Sequence, residues 1–118
     1  MINYIDEDRI HKLSEGDIDI PLYQKIIKLQ EETGELAQAF LEFDNSKNVS
    51  KSAKFKGKEN PGYDVLEEAC DCINVAMDII NKITMDSDDG DLSHYTRDLF
   101  QRKLDKWEAK QQKYKNKG

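Results

Sequence analysis

The chain is short of positive charge, of long apolar runs and of the residues that favour sheet, and each shortage removes a class of protein. Eighteen Lys and Arg stand against twenty-four Asp and Glu, leaving a net charge of −6. That argues against a nucleic-acid polymer as main partner, because phosphate backbones are held by clustered cations. No apolar run approaches the ~20 residues needed to span a bilayer, and no basic start followed by an apolar stretch marks a signal peptide. The expected compartment is therefore the cytoplasm, with no membrane partner. Aromatics are few, prolines number two, and β-branched residues do not alternate with polar ones, so amphipathic helices are favoured over sheet. Cys70 and Cys72 are two positions apart and, at ~100° per residue, point to nearly opposite sides of a helix. They make neither a joint clamp nor a local disulfide, and buried reduced thiols are expected. Neither His11 nor His94 has a Glu three residues before it, which removes the Glu-x-x-His pairs of carboxylate-bridged iron sites. Neither supports a nucleophilic triad.

What is present is helical period. A chain of 118 residues makes one domain with a modest core, and further burial through a homodimer or homotetramer is expected. Ile2, Ile5, Ile10 and Leu13 among charges predict a short helix ending around Ser14 to Asp19. Pro21 suits the first turn of a second helix reaching about Phe43, with Leu22, Ile26, Leu29, Leu36, Phe40 and Phe43 inward. Residues 44 to 63 are polar and rich in lysine, with Lys47, Lys51, Lys54, Lys56 and Lys58. They read as a mobile connection, or a lid. Asp64 is expected to N-cap a third helix, with Glu67 completing a capping box. That helix should reach about Ile83, with Val65, Ala69, Cys72, Ile73, Ala76, Ile79, Ile80 and Ile83 inward. Asp86 to Asp91 break it. An EF-hand is rejected there, because placing Gly90 sixth in the loop puts Met85, Ser87 and Thr96 at the first, third and twelfth positions. A last helix over about Leu92 to Tyr114 carries Thr96, Phe100, Leu104, Trp107, Gln111 and Tyr114 on one side, with a solvated lysine-rich end. The fold expected is all-α and like a four-helix bundle.

Two acidic clusters interrupt this apolar patterning: Glu31, Glu32 and Glu35, then Glu67, Glu68 and Asp71. Carboxylates within an apolar stretch are costly unless a cation neutralises them. On a wheel at ~100° per residue, Glu32 falls between Ala39 and Phe43, and Glu35 lies about 60° away at the border of the apolar arc. The second motif helix repeats the arrangement, with Glu68 inward and Asp71 about 60° further round. Glu31 and Glu67 point outward, as ordinary surface and capping residues. Residues three apart share a helix face, so Glu32 with Glu35 and Glu68 with Asp71 form two carboxylate clamps. Oxygen-only ligation selects Mg²⁺, with Mn²⁺ as a substitute. Asn74 and Asp78 continue the acid edge of the third helix and either touch a ligand or are simply exposed. Lys25 and Lys28 precede the first clamp on a similar face. Lys28 either meets phosphate or pairs with Glu32 at i,i+4. Lys28, Asn74 and the loop residue Lys54 are the candidate substrate contacts, while the loop lysines as a group also read as a solvated linker.

These residues resemble the MazG-like, all-α nucleoside triphosphate pyrophosphohydrolase superfamily. Its hallmark is an EExxE stretch followed after a connection by ExxD, as in Glu31, Glu32 and Glu35, then Glu68 and Asp71. KLQEETGELAQA, from Lys28 to Ala39, looks particularly close to the family's first helix, and the likeness covers roughly residues 21 to 83. Thirty-two residues separate Glu35 from Glu68, longer than the family's usual connection. The resemblance implies that Glu32, Glu35, Glu68 and Asp71 ligate Mg²⁺, and that a nucleoside triphosphate is hydrolysed to the monophosphate and pyrophosphate. Glu35 is nominated to polarise the attacking water, with Glu32 as the other catalytic candidate. Two rival expectations stand beside this one: a non-catalytic helical interaction module retaining a metal-binding acidic cluster, and a narrow-specificity relative acting on dUTP or dCTP.

Overall fold

The structure is a computed structural model and describes residues 5–48, 62–87 and 91–116. Among these the chain is all-helical, with α1 over Glu7–Gly16, α2 over Leu22–Asn48, α3 over Gly62–Asp86 and α4 over Asp91–Asn116. The all-α expectation is met. Residues 1–83 and 84–118 form two compact units. No helix is long and apolar enough to cross a membrane.

Local chemistry sets the helix ends. Asp6 caps α1, its carboxylate accepting from the Arg9 N–H at 3.1 Å, and Glu7 and Asp8 add negative charge to the first turn, where the helix dipole favours it. At the other end the Asp17 N–H donates to the carbonyls of Leu13 and Ser14. The Pro21 carbonyl accepts from the N–H groups of Gln24 and Lys25. Pro21 therefore sits at the threshold of α2, a position that needs no N–H of its own. α2 continues past the expected end near Phe43 to Asn48. α3 begins at Gly62, so Asp64 lies inside its first turn instead of capping it. The expected Asp64 to Glu67 capping box is thus corrected: Asp64 acts on the dipole from within the helix.

The first unit is held together by polar contacts more than by an apolar core. Among the described residues, Ala39 is the only buried hydrophobic side chain, whereas Ser14, Lys25 and Glu32 are buried polar ones. Ser14 Oγ accepts from Asn81 Nδ2 at 3.1 Å, and Lys82 Nζ donates to the Ile18 carbonyl, which ties α1 and the following turn to α3. α2 and α3 are joined by Lys25 Nζ on Asp78 Oδ2 at 2.6 Å. The expected inward stripes are correspondingly incomplete: Ile26 and Phe40 on α2, and Ile73 and Ile83 on α3, are exposed. Lys25, Glu32 and Ala39 follow one another at seven-residue spacing. Burial on α2 is centred on that row, about 60° from the centre of the apolar stripe at ~100° per residue.

In the second unit, Leu92, Thr96 and Leu99 are half-buried, and Thr96 Oγ1 donates to the Leu92 carbonyl at 2.7 Å. The Arg102 guanidinium lies 5.2 Å from the centre of the Tyr95 ring. Phe100, Leu104, Trp107 and Tyr114 are exposed.

Candidate functional site

Glu32, Glu68 and Asp71 each offer a carboxylate oxygen, and these oxygens lie within 4.8 Å of one another. α2 supplies the first and α3 the other two. Their burial is graded, with Glu32 buried, Glu68 half-buried and Asp71 exposed, so the cluster opens outward from a closed end. The physical reason is the facing of the two helices. Glu32 with Asp71 and Lys25 with Asp78 share one residue-number sum, as does Glu35 with Glu68, which is the register of two antiparallel helices. One step of seven residues on each helix leads from the acidic cluster to the Lys25–Asp78 pair.

The electrostatics of the cluster are unbalanced. Lys28 Nζ reaches Glu32 Oε1 at 3.0 Å and Glu31 at 3.9 Å. Glu32 Oε2 and Glu68 Oε2 are buried without a hydrogen-bond partner. Burial pushes the Glu68 carboxyl above the usual carboxylate range, and the neighbouring charge of Glu35, a hydrogen bond with Glu35, and the charges of Asp71 and Glu32 push the same way. The Cys72 thiol is likewise pushed up, by burial first and then by Glu32, Glu68, Asp71 and Glu35. The hydrogen bond to Glu32 and its charge raise Lys28 in turn. One lysine does not neutralise this many acids. Orphaned buried carboxylate oxygens on facing helices are suited to a hard divalent cation, which takes oxygen ligands and offsets the repulsion among them. The residues present therefore fit Mg²⁺ or Mn²⁺.

Each expected site residue has a definite place. Glu32, Glu68 and Asp71 come together, and Glu35 lies beside Glu68, close enough to raise it. Glu31 and Glu67 are exposed, as expected. Lys28 takes the pairing alternative with Glu32. Asn74 is exposed on the wall of a groove between α1 and α3. Lys54, with the rest of the expected lid from Lys51 to Lys58, lies outside the described residues, and nothing is described of the Lys47 side chain. Cys70 is exposed and Cys72 half-buried, both free. The expectation of two buried thiols is corrected, because Cys70 lies on the groove wall.

The Lys25–Asp78 pair was not foreseen as a structural element. Lys25 is buried and Asp78 about a quarter exposed. The signal for it was there: Lys25 stands seven residues before Glu32, and Asp78 seven after Asp71, so two rows of opposite charge are brought face to face by an antiparallel pairing. The groove that Asp78 and Asn74 border has a volume of about 1120 Å³ and is walled by Ile10, Leu13, Leu66 and Ile73. Pockets of roughly 300–1,000 Å³ hold drug-sized ligands, so it has room for a nucleoside. Compared with models of known protein families, with curated proteins and with solved structures, the chain matches none.

Proposed function

We propose that this chain is a Mg²⁺-dependent nucleoside triphosphate pyrophosphohydrolase of MazG-like type, releasing a nucleoside monophosphate and pyrophosphate. The observation that carries the reading is the Glu32, Glu68 and Asp71 trio, whose oxygens gather within 4.8 Å while two buried carboxylate oxygens of Glu32 and Glu68 lack partners. Glu32, Glu68 and Asp71 would hold the cation, with Glu35 at their edge. When bound, Mg²⁺ supplies charge neutralisation to the phosphate oxygens and to the departing pyrophosphate. Lys28, anchored on Glu32 yet more than half exposed, presents an ammonium beside the same edge and can meet an outer phosphate oxygen as a point charge. Glu35, exposed and adjacent to Glu68, accepts the proton of the attacking water as its oxygen bonds to the α-phosphorus. The bond from that phosphorus to the bridging oxygen breaks, and the electron pair leaves with pyrophosphate. The groove walled by α1 and α3 lies along α3 from Asp71 and offers an apolar wall to the nucleoside.

The test is a screen of ribo- and deoxynucleoside triphosphates with Mg²⁺ or Mn²⁺, separating products by chromatography. Monophosphate and pyrophosphate appearing together, and only with metal, is the expected result. Stepwise release of single phosphates, or no turnover of any of them, would overturn the proposal.

A further inference from the structure

α2 carries its charges on one side only. On a wheel at ~100° per residue, the charged residues between Leu22 and Phe43, namely Lys25, Lys28, Glu31, Glu32, Glu35 and Glu42, all fall within an arc of about 120° centred near the acidic cluster. The rest of the circumference is uncharged from Tyr23 to Leu41. Its middle is small, formed by Thr33, Gly34 and Ala37, all exposed. A Cβ added at Gly34 would meet nothing within 4 Å. Its ends are large and apolar: Tyr23, Ile26 and Ile27 at one, Phe40 and Leu41 at the other, each between 44% and 62% exposed. Ile27 stands seven residues before Gly34 and Leu41 seven after. Seven residues are close to two helical turns, so the face reads the same from either end.

We propose that this face is the two-fold seam of a homodimer in which α2 crosses the partner's α2 antiparallel, with Gly34 at the crossing. A two-fold axis at Gly34 sets Ile27 against the partner's Leu41, and Leu41 against the partner's Ile27, while the small middle lets the backbones approach. The occupant is a second copy because the pattern is its own complement, which an isologous interface requires. Five half-exposed side chains per copy, at roughly 100 Å² each over two copies, remove about 1,000 Å² from water, the size at which a specific interface begins. A lipid surface does not suit this face, since interfacial helices carry Lys and Arg beside the apolar stripe. Gly34 is costly within a helix unless close approach needs it, and the single chain places nothing against it. The seam lies across α2 from Glu32, so the carboxylates stay open in the dimer. The inference is therefore independent of the proposed hydrolysis.

The test is sedimentation equilibrium of the full chain at micromolar concentration. Wild type is expected at twice the single-chain mass of 13.7 kDa. Gly34→Lys is expected at the single-chain mass, its dissociation constant weakened about 100-fold or more, roughly 2.7 kcal/mol. Lysine is a better helix former than glycine, so retained circular dichroism with lost dimer isolates the seam. A second arm does not depend on that variant. In a Cys70→Ser/Cys72→Ser background, Gly34→Cys should oxidise to a linked dimer, because helix axes 8–10 Å apart bring facing Cα atoms within the ~7 Å that a disulfide tolerates. Ile27→Cys should not, since its two copies lie about 21 Å apart along the axis at 1.5 Å per residue. A wild-type single chain, an oligomer indifferent to Gly34→Lys, or equal cross-linking of the two cysteine variants would overturn the proposal.

Discussion

Replacing Lys25 by Met tests the account of what holds α2 to α3. Lys25 is 4% exposed and its ammonium sits 2.6 Å from Asp78 Oδ2, while Asp78 Oδ1 is buried without a partner. Met keeps the length and apolar stem of Lys25 and removes only the charge and donors. Asp78 then has neither carboxylate oxygen paired. Removing one partner of a fully buried ion pair costs roughly 3–5 kcal/mol. Asp78 is 26% exposed and recovers some hydration, so the expected loss is about 2–3 kcal/mol. At 1.4 kcal/mol per decade that is roughly a 30- to 150-fold fall in the folding constant, a large part of the 5–15 kcal/mol of a typical domain. Removing both partners is different. Lys25→Met/Asp78→Leu puts apolar volume where two charges had been desolvated, and such exchanges are neutral or stabilising. The double variant should lie within about 1 kcal/mol of wild type, the difference measuring the coupling of the pair. The assay is urea unfolding followed by far-ultraviolet circular dichroism, at one fixed protein concentration because association contributes to apparent stability. A loss below about 0.5 kcal/mol in Lys25→Met would place the pair among exposed, weak ones. Simple additivity in the double variant would refute the reasoning equally.

Glu68→Gln should stabilise the metal-free protein in a pH-dependent way. The folded carboxyl is raised, so the fold binds a proton that the unfolded chain gives up; stability is complete below the unfolded value and falls as pH rises through the folded one. The advantage of the variant should vanish near pH 4 and be largest above about pH 7 in denaturant titrations, and an advantage that grows towards acid would reverse the sign of the argument. Mg²⁺ should raise the melting temperature of wild type in proportion to ln(1 + [Mg²⁺]/Kd), and this shift should disappear in Glu32→Gln but persist in Glu31→Gln; equal shifts in the two variants would remove Glu32 from the metal site. In the nucleotide assay, Glu68→Gln should lose nearly all turnover at saturating Mg²⁺ while Glu67→Gln, altered at an exposed position, keeps most of it. Equal losses at matched circular dichroism would contradict the facing of α3.

Periodicity alone determined that the chain is helical and where most helices begin and end, because capping and propensity act over a few residues. The i,i+3 spacing placed Glu32 with Glu35, and Glu68 with Asp71, on shared helix faces, and so determined which acids belong together. Even the outward facing of Glu31 and Glu67 was legible. The rotation of α2 about its own axis was not. A wheel drawn from apolar residues aims Ile26 and Phe40 inward, but the row that is buried runs through Lys25, Glu32 and Ala39. Which row faces a neighbour depends on what the neighbour offers, and α3 offers Asp78, Glu68 and Asp71. A carboxylate two turns from the cluster on one helix can meet a lysine two turns from it on the other only after an antiparallel register is chosen, and that choice is tertiary. The same holds for the ends of α3. Asp64 and Glu67 satisfy the capping-box spacing, yet helical backbone extends back to Gly62 and puts Asp64 inside the first turn. Residue spacing is a property of one helix, whereas burial and ion pairing belong to two. Only their packing decided that the acids of this chain would share one desolvated corner.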